Sequence, residues 1–475
     1  MQDLEGKLIE SRSGNKYLLT EKVGEGAQGV VYGEASEKYI IKLYHKRNRI
    51  QNEKLLDKLE WLMFQSYPDQ FIKPLDIVDT PYIGYVMEKV KNHVSLNKLL
   101  IPENQNFSDW YNAKTGGLRR RYYLGYKIAY QFAMLHDTGR AYCDISGNNI
   151  LVNQNPRVAS VCMIDIDNIY VPGGESANVL GTSRYMAPEI INHQMEPDIF
   201  TDSYSLAVIL FELLRGGHPY IGDVVDNGTP DQQTAAYLGH YPYVDDPETD
   251  MNRSTHMLPA DAVFTTKLKS LFYRTFVKGK ENRMERVTAR DFSLAFLEAS
   301  NLVMKCPECG NWHLALADKN RKYICPWCDS ENQRPLFLQF KDRYDVSRDD
   351  EGEKEPVVFK DKAVGSYVLR NERNDITDNY VSNLYIKRDK FTRPLDEYFS
   401  VRMAKNGKFY LINEHDYELY YQKKGMKRPE SLSKADGPVE LEKNDWIIFS
   451  NPRSMRKKDV AKTYGGIVFR YAVVR

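Results

Sequence analysis

The spacing of apolar and polar residues divides the chain into a part with mixed strands and helices and a part made of strands. Residues 17–44 read as strand, glycine turn, strand and strand, and residues 51–64 follow with helical spacing. Two longer segments, 118–136 and 200–214, repeat apolar residues at intervals of three and four, the period of a half-buried helix. The basic run 119–121 reads as a solvated face of the first of them. This pattern predicts a small sheet followed by a helical domain.

The last part of the chain consists of short alternating segments, which are typical of an all-β domain. These segments are residues 398–403, 409–412, 418–421, 446–449 and 467–471. The pairs Asn406-Gly407 and Gly465-Gly466 suit tight turns between strands. A β-sandwich is therefore predicted over residues 357–475. Before it, residues 336–356 are rich in charge and, from Lys341 on, nearly devoid of aliphatic side chains, which indicates a solvated linker.

Size and charge narrow the class of protein. The 475 residues exceed what one hydrophobic core organises, so several domains are expected. The 66 basic and 65 acidic residues balance, so no global field attracts the chain to nucleic acid or membrane. The first residues lack the layout of a signal peptide, and the sequence has no run of about 18 uncharged apolar residues. We expect a cytoplasmic protein that does not bind membranes and whose partners are not nucleic acids.

Three polar residues stand at a spacing that carries chemistry. Asp144 is followed five residues later by Asn149, then by an apolar segment and a second aspartate, Asp165. This spacing serves to hold magnesium-bound nucleotide beside a hydroxyl that receives a phosphoryl group. Asp165 and Asn149 offer oxygen ligands to magnesium, a hard cation. Asp144 can orient the acceptor hydroxyl or accept its proton.

A glycine-rich turn, residues 24–29, precedes a lysine in an apolar strand. Its glycines let the backbone approach phosphate oxygens, and the strand that follows favours a lid over ATP rather than a dinucleotide site. Lys42 is flanked by apolar residues and therefore needs a charge partner. Glu53 and Glu60 share one face of the helix at 51–64, so either could point back at Lys42. Glu60 is the preferred partner, and Glu53 is the alternative.

These motifs occur in the order of a known family: residues 15–300 resemble a Hanks-type (eukaryotic-like) serine/threonine protein kinase. The resemblance implies a bilobal fold, ATP and Mg2+ as cofactors, and a protein substrate. It implies catalytic roles for Lys42, Glu60, Asp144, Asn149 and Asp165, with Asn149 and Asp165 as magnesium ligands. It implies nucleotide contacts by Gly24, Glu25, Gly26, Ala27, Gln28, Gly29, Val31, Lys42, Met87, Glu88, Val90, Asn149 and Asp165.

Residues 181–189, read as GTSRYMAPE, extend the resemblance. They are similar to the family's Gly-Thr-x-x-Tyr-x-Ala-Pro-Glu, and the threonine after glycine resembles kinases that phosphorylate Ser or Thr. By the same resemblance, Asp202 braces the catalytic loop and Arg286 pairs with Glu189. Both are expected to be structural supports.

Three residues depart from the family pattern. Cys143 replaces an arginine that pairs with an activation-loop phosphate in many relatives, so we expect activity that does not require this phosphate. Ser146 replaces a lysine near the transferred phosphate, which removes one positive charge. Asp167 replaces the glycine of the family's Asp-Phe-Gly, so the glycine-enabled movement of this loop is not expected.

Two CxxC pairs lie beyond the kinase-like region. They are Cys306 with Cys309 and Cys325 with Cys328, in the spacing C-x2-C-x15-C-x2-C. Two such knuckles complete a tetrahedral site for Zn2+, and four thiolates leave no open position for catalysis. Residues 301–335 therefore resemble a zinc ribbon with a structural metal.

The last domain resembles forkhead-associated domains loosely. Residues 441–448, read as LEKNDWII, are similar to that family's Leu-x-x-Gly-Asp-x-Ile pattern. Its ordered Gly-Arg, Ser-x-x-His and Asn-Gly set is not found, so the resemblance implies the fold and not phosphothreonine binding. A role in docking the protein substrate is the expectation for this domain.

The sequence thus predicts a multidomain α+β protein with a bilobal protein-kinase fold over residues 1–300, a zinc ribbon over 301–335, a charged linker over 336–356 and an all-β sandwich over 357–475. The expected function is serine/threonine phosphorylation of a protein partner or of the chain itself, with a catalytic loop that lacks the family's arginine. The alternative is a pseudokinase or adaptor that binds nucleotide and partners without turnover.

Overall fold

A computed structural model describes most of the chain in two compact units, residues 1–296 and 297–475. The described residues are 3–45, 48–100, 102, 106–171, 181–345, 359–377, 397–415, 419–449 and 467–475. The predicted turn Gly465-Gly466 and linker residues 346–356 lie outside them. None of the helices in the described residues has the length and hydrophobicity needed to cross a membrane.

The first unit begins with an antiparallel sheet. Its strands are β1 (Leu8–Glu10), β2 (Lys16–Glu25), β3 (Gly29–Glu34), β4 (Tyr39–Tyr44), β5 (Asp76–Val78) and β6 (Gly84–Glu88). Their order in the sheet is β1-β2-β3-β4-β6-β5. Helix α1 (Arg49–Phe64) follows β4, capped by Asn48 and buried through Leu55, Leu59 and Leu62. The strands predicted at residues 17–44 and the helix predicted at 51–64 are therefore confirmed.

A helical part follows, with a small antiparallel sheet at its edge. The strands of this sheet are β7 (His93–Ser95), β8 (Ile150–Asn153) and β9 (Val161–Met163). The helices are α2 (Asn97–Leu100), α3 (Phe107–Asp109), α4 (Gly117–His136), α5 (Pro188–Ile191), α6 (Ile199–Arg215), α7 (Asp223–Asp226), α8 (Pro230–Tyr237), α9 (Ala260–Val263), α10 (Thr266–Tyr273), α11 (Gly279–Glu281) and α12 (Ala289–Ser300). Shorter π and 3₁₀ turns lie at Trp110–Lys114, Ile166–Asn168, Arg274–Lys278 and Arg283–Glu285.

Helix α6 is the centre of the helical part. Its residues from Thr201 to Arg215 are buried throughout, and Asp198 caps its start by accepting hydrogen bonds from the N–H groups of Phe200 and Thr201. Gly216 ends the helix at φ 74°, a left-handed conformation that glycine adopts without steric cost. A helix buried on all sides is a rigid platform, and it carries Asp202 into the site described below.

The basic run at the start of α4 is not the predicted solvated face. Arg120 and Arg121 are both buried. Arg121 donates hydrogen bonds to the carbonyl oxygens of Leu99 (2.6 Å) and Leu213 (2.7 Å), and it lies 4.0 Å from the centre of the Tyr111 ring. A guanidinium presents five donors in a fixed fork, so it can satisfy carbonyl groups of separate segments at once. Arg120, which binds the carbonyls of Val158 and Thr115, and Arg121 are internal braces between elements, whereas Arg119 is half-buried.

The second unit starts with two short hairpins around the paired cysteines. They are β10 (Val303–Lys305) with β11 (Trp312–Leu314), and β12 (Tyr323–Ile324) with β13 (Glu331–Asn332). Each CxxC lies at the end of the first strand of its hairpin. In each, the N–H of the first cysteine and a later N–H close a tight loop: Cys306 N–H binds Asn311 O at 2.9 Å, and Gly310 N–H binds Cys306 O at 3.0 Å.

The other described strands of this unit form two antiparallel sheets. Their strands are β14 (Phe337–Asp345), β15 (Phe359–Val368), β16 (Arg373–Thr377), β17 (Glu397–Met403), β18 (Phe409–Ile412), β19 (Leu419–Gln422), β20 (Glu430–Leu432), β21 (Val439–Leu441), β22 (Trp446–Ile448) and β23 (Ile467–Val474). One sheet has the order β15-β14-β23-β22-β19-β20, and the other has the order β16-β17-β18-β21. Apolar residues of both sheets, among them Phe340, Val401, Leu411 and Ile447, form one buried cluster.

The predicted linker requires a correction at its start. Residues 337–345 form β14, which lies between β15 and β23 in the larger sheet. Leu338 and Phe340 are fully buried in the shared core, while Asp342 is paired with Arg470 at 2.6 Å. The charged residues of this strand misled the sequence interpretation because paired charges within a sheet look like solvated ones in a sequence.

Candidate active site

The catalytic loop, residues 142–149, is held from behind by a carboxylate of helix α6. Asp202 accepts hydrogen bonds from the backbone N–H groups of Tyr142 (2.5 Å) and Cys143 (2.9 Å). Cys143 has φ 72°, an uncommon conformation for a residue with a side chain, so this brace holds a strained turn. His136 lies 3.1 Å from the same carboxylate. The expected bracing role of Asp202 is confirmed.

The loop presents Asp144 and Asn149 together. The Asn149 amide nitrogen donates to the Asp144 carboxylate at 2.8 Å and to its carbonyl oxygen at 3.0 Å. The second carboxylate oxygen of Asp144 accepts from the N–H of Thr182 at 3.4 Å. Burial raises the pKa of Asp144 and outweighs its hydrogen bonds from Asn149 and Thr182, which lower it. The amide oxygen of Asn149 remains as an acceptor, the atom a hard cation prefers.

Asp165 follows strand β9 and turns the chain toward the sheet of the first unit. Its backbone is left-handed, with φ 57° and ψ 50°, and it begins the turn at 166–168. Its carboxylate lies 3.2 Å from the ammonium of Lys42 and is about one-third exposed. Burial and the neighbouring Asp167 raise the pKa of Asp165, while Lys42 opposes the shift. The structure thus brings Lys42 and Asp165 together.

Lys42 itself is buried in the sheet, opposite Val31 on one side and Tyr85 on the other. Its closest carboxylate belongs to Asp167, at 2.9 Å, and the Tyr44 hydroxyl donates a short hydrogen bond to the same carboxylate oxygen. Burial lowers the pKa of Lys42, but Asp167 and Asp165 outweigh it and keep that pKa above its usual value. The lysine therefore has two carboxylate partners.

The prediction that Glu60 or Glu53 binds Lys42 requires a correction. Glu60 forms an ion pair with Arg12, and Glu53 accepts a hydrogen bond from Arg49 at 2.9 Å. Helix α1 is described from end to end, and none of its carboxylates lies within ion-pair distance of Lys42. The two glutamates share one face, as expected, but that face is turned away from the buried stripe of Leu55, Leu59 and Leu62.

The glycine-rich turn joins β2 to β3 above this pocket. The N–H of Gly26 binds the carbonyl of Gly29 at 2.9 Å, with Glu25, Ala27 and Gln28 in and around the turn. A Cβ on Gly29 would lie 2.3 Å from the carbonyl oxygen of Leu43, so only glycine fits there. Gly24 pairs with Val31 across the hairpin. A Cβ on Gly24 or Gly26 would meet nothing within 4 Å, so the space around this part of the turn is open.

The side of the site expected to bind adenine lies on β6 and just beyond it. Met87 is buried and pairs with Ile40, and Glu88 pairs with Tyr39. Val90, half-buried, follows the end of the strand. Because β6 neighbours β4, these residues and Lys42 belong to adjacent strands of one sheet. The positions fit the segment that the resemblance assigned to the nucleotide base.

A second ion pair supports the segment after the catalytic loop. Arg286 donates to both carboxylate oxygens of Glu189, at 2.6 and 2.9 Å, which confirms the predicted pair. Burial would raise the pKa of Glu189, but Arg286 outweighs it and lowers that pKa. A further pair, Arg184 with the buried Glu212 at 2.6 Å, was not found from the sequence. Nothing in the local pattern distinguishes these residues from surface charges.

Four sulfur atoms meet in the second unit. The thiols of Cys306, Cys309, Cys325 and Cys328 all lie within 4.8 Å of one another. The separation is 3.7 Å between Cys309 and Cys325 and 3.8 Å between Cys306 and Cys328. A tetrahedral zinc ion with bonds of about 2.3 Å would hold its sulfurs about 3.8 Å apart, so the donor set fits this metal in type and spacing.

Comparison with known proteins agrees with the fold of the first unit. Residues 17–292 match the family described as "Protein kinase domain". The chain is 22% identical over 354 residues to "Protein kinase YegI" of Escherichia coli K12, covering 70% of this chain and 51% of that protein. It is 27% identical over 218 residues to "Myosin light chain kinase A" of Dictyostelium discoideum, covering 44% of this chain and 70% of that protein.

Among solved structures, the autoinhibited serine kinase domain of the giant muscle protein titin is similar, with a TM-score of 0.43 and 18% identity, covering 59% of this chain and 78% of that one. The chain spans about half the length of the Escherichia coli proteins that it matches. The family match itself lies over the sheet, the helical part and every site residue from Gly24 to Asp165.

Proposed function

The chain belongs to the protein kinase family, and from this premise we propose that it transfers the γ-phosphate of Mg-ATP to serine or threonine hydroxyls of a partner protein or of itself. The observation that carries the proposal is that two polar pairs lie close together: Asp144 with Asn149, and Lys42 with Asp165. The Asn149 carbonyl accepts a hydrogen bond at 3.0 Å from the N–H of Ile164, the residue before Asp165, and the charge of Asp165 acts on Asp144. Phosphoryl transfer demands position and charge neutralisation more than covalent help, and these are the groups that supply both.

Each group has one task in this proposal. Asp165 and the amide oxygen of Asn149 are the magnesium ligands, and Lys42 binds the α- and β-phosphates. Asp144 orients the acceptor hydroxyl and takes its proton. Bound Mg-ATP supplies the phosphoryl group and the cation that neutralises its charge. Residues 24–29 would contact the phosphates, and Met87, Glu88 and Val90 would border the base.

We propose that the kinase acts without an activation-loop phosphate. Cys143 stands where many relatives have an arginine, and a thiol offers no cation to such a phosphate. Asp202 already fixes the loop through the N–H groups of Tyr142 and Cys143, so the order of the loop does not depend on the side chain at 143. Burial raises the pKa of the Cys143 thiol, which makes it an inert group rather than a reactive one.

The four cysteines of the second unit are proposed to hold one structural zinc ion. The convergence and spacing of their thiols support this, and a site filled by four thiolates has no open position for a substrate. Native mass spectrometry should find one zinc per chain. Cys306→Ser with Cys325→Ser should abolish it and lower the melting temperature of this unit, whereas metal-free wild type of unchanged stability would contradict the proposal.

A nucleotide-binding scaffold without turnover is the second candidate. It is favoured by the absence of a contact between Lys42 and any carboxylate of helix α1, which is described in full. In a scaffold, Asp144 and Asn149 would have no task. Their retained pairing, and the two other carboxylates on Lys42, favour the enzyme.

The test is phosphate incorporation from γ-labelled ATP and magnesium into the full chain and into generic protein acceptors. Wild type is compared with Asp144→Ala and Asp165→Ala, and the labelled residues are mapped by mass spectrometry. Incorporation on Ser or Thr that disappears in both variants supports the proposal. Incorporation on Tyr would overturn the specificity, and Mg-ATP binding without any incorporation would favour the scaffold.

A further inference from the structure

Asp167 has no task in the proposed kinase reaction. Its side chain is fully enclosed, with one carboxylate oxygen bound by Lys42 at 2.9 Å and by the Tyr44 hydroxyl. The other oxygen has no hydrogen-bond partner among the described residues. Burial of a carboxylate costs free energy unless the carboxylate is paired. The aspartate at this buried position therefore has a role other than keeping the protein soluble.

Helix α1, on which the sequence predicted an acidic partner for Lys42, carries a lysine on its buried side. Lys58 is half-buried on the side of α1 that carries Leu55 and Leu62, and the helix packs against the turn at 166–168. Glu60, only two residues on, is turned by about 200° from Lys58 on a helix of 3.6 residues per turn, which places it on the outer face. Burial lowers the pKa of Lys58, while Asp167 and Cys143 oppose the shift.

We propose that Asp167 is the positioning residue of Lys42, and that it takes the part of a helix glutamate. The carboxylate and the lysine come from the turn at 166–168 and from strand β4, so the ion pair does not require α1 to move or to contribute an acid. Tyr44, two residues after Lys42, shares the same carboxylate oxygen and fixes its direction. The inference rests on the proposed function of Lys42 as the phosphate-binding group.

Geometry gives this arrangement a definite consequence for the phosphates. Lys42 is tied to Asp165 at 3.2 Å and to Asp167 at 2.9 Å, so the magnesium ligand and the phosphate-binding lysine are held by one short turn. If Asp165 were to bind the cation, Asp167 would still anchor the ammonium. Removal of Asp167 would leave Lys42 with the metal ligand as its sole partner among the described carboxylates, and the two tasks would compete.

The experiment measures binding of Mg-ATP and of adenosine by titration calorimetry to the full chain and to two matched variants. Asp167→Asn and Glu60→Gln both exchange a carboxylate for a carboxamide of the same shape. Asp167→Asn should weaken Mg-ATP by roughly ten- to a hundredfold, the loss expected for one hydrogen bond to a charged group, while adenosine binds as in wild type. Glu60→Gln should leave both ligands unchanged, because the structure places Glu60 on the outer face with Arg12.

Equal losses for ATP and adenosine would mean that Asp167 only maintains the fold, and unchanged ATP binding would mean that Lys42 does not need it. A loss in Glu60→Gln equal to that in Asp167→Asn would return the role to the helix. Each of these outcomes overturns the proposal. If Asp167→Asn does not fold, Tyr44→Phe replaces it: a selective loss for Mg-ATP supports the proposal, and wild-type binding of both ligands overturns it.

The measurement of Mg-ATP binding distinguishes a failure of this proposal from a failure of the proposed kinase activity. If wild type binds Mg-ATP but transfers no phosphate, the kinase activity fails while the ATP-to-adenosine ratio still decides the role of Asp167. If transfer occurs and Asp167→Asn retains full Mg-ATP affinity, the positioning role fails while the activity stands.

Discussion

The catalytic loop and the Lys42 pocket are ordered by different kinds of contact. In the loop, Asp202 binds two backbone N–H groups, so the brace is the same whatever side chain stands at 143. In the pocket, Lys42 depends on the side chain of Asp167 and, through it, on Tyr44. Because the loop is braced through its backbone, it tolerates a cysteine at position 143 in place of arginine. The pocket is built from side chains, so one substitution can remove the contact that positions Lys42.

The largest effect is expected at the centre of the loop. Asp144→Asn should reduce phosphate transfer by about 10²- to 10⁴-fold, because the carboxamide cannot take the proton of the acceptor hydroxyl. Affinity for Mg-ATP should stay close to wild type, since Asp144 is assigned to the acceptor. Asp137→Asn, an aspartate that pairs with Arg290 at the surface, is the matched control. Transfer at the wild-type rate in Asp144→Asn would remove the loop from the chemistry.

Removal of the loop's brace should cost stability as well as activity. Asp202→Ala leaves the N–H groups of Tyr142 and Cys143 without their acceptor in a buried place. At about 1–3 kcal/mol for each unsatisfied group, the free energy of unfolding of the first unit should fall by about 2–6 kcal/mol. Urea unfolding measures it. A variant as stable as wild type would show that the loop does not depend on this backbone contact.

The ion pair between Arg286 and Glu189 predicts a pH-dependent effect on the free energy of unfolding. Arg286→Gln should lower the free energy of unfolding by about 3 kcal/mol at neutral pH, the cost of breaking one side of a buried ion pair. The pKa of Glu189 is lowered by Arg286 in the folded state, so the pair stabilises above the unfolded pKa of 4.5 and loses this effect as pH falls through the folded pKa.

Unfolding of wild type and Arg286→Gln at neutral and acidic pH tests that sign. The difference between them should be largest at neutral pH and should shrink toward acidic pH. A difference that grows on acidification would mean that the pair does not stabilise through the Glu189 carboxylate.

The smallest effect is expected from removal of phosphate. Wild type treated with a phosphatase, which is then removed, should phosphorylate a generic acceptor at its initial rate, because no cation stands at 143 to bind an activation-loop phosphate. The same enzyme before treatment is the control. An inert dephosphorylated enzyme that regains activity after incubation with ATP would contradict the claim that the backbone brace is sufficient.

The residues proposed to contact the reactants could be predicted from the sequence, whereas the residues that position them could be predicted only in part. Asp144, Asn149 and Asp165 are set by short spacings within one loop and strand, so a sequence pattern reaches them. Asp202 and Arg286 were found because each lies in a recognisable segment. The partner of Lys42 was missed because it depends on the rotation of α1 about its axis, which no interval within the sequence fixes.

The same reason explains the errors elsewhere. Arg121 was assigned to solvent because its partners, the carbonyls of Leu99 and Leu213, are backbone groups that no sequence pattern shows. Strand β14 was taken as linker because Asp342 and Arg470 neutralise each other across 128 residues. The sequence did contain a signal for Asp167. An acid that replaces glycine next to a buried strand and beside a lysine pocket needs a cation as its partner.

The measurement that tests the division of tasks most directly is single-turnover transfer of the γ-phosphate in wild type, Asp144→Asn and Asp167→Asn, followed over a range of Mg-ATP concentrations. The account predicts that Asp144→Asn loses the maximal rate and keeps the half-saturating concentration of Mg-ATP, whereas Asp167→Asn raises that concentration. A change in the same parameter in both variants, or no change in either variant, would contradict the separation of the catalytic loop from the Lys42 pocket.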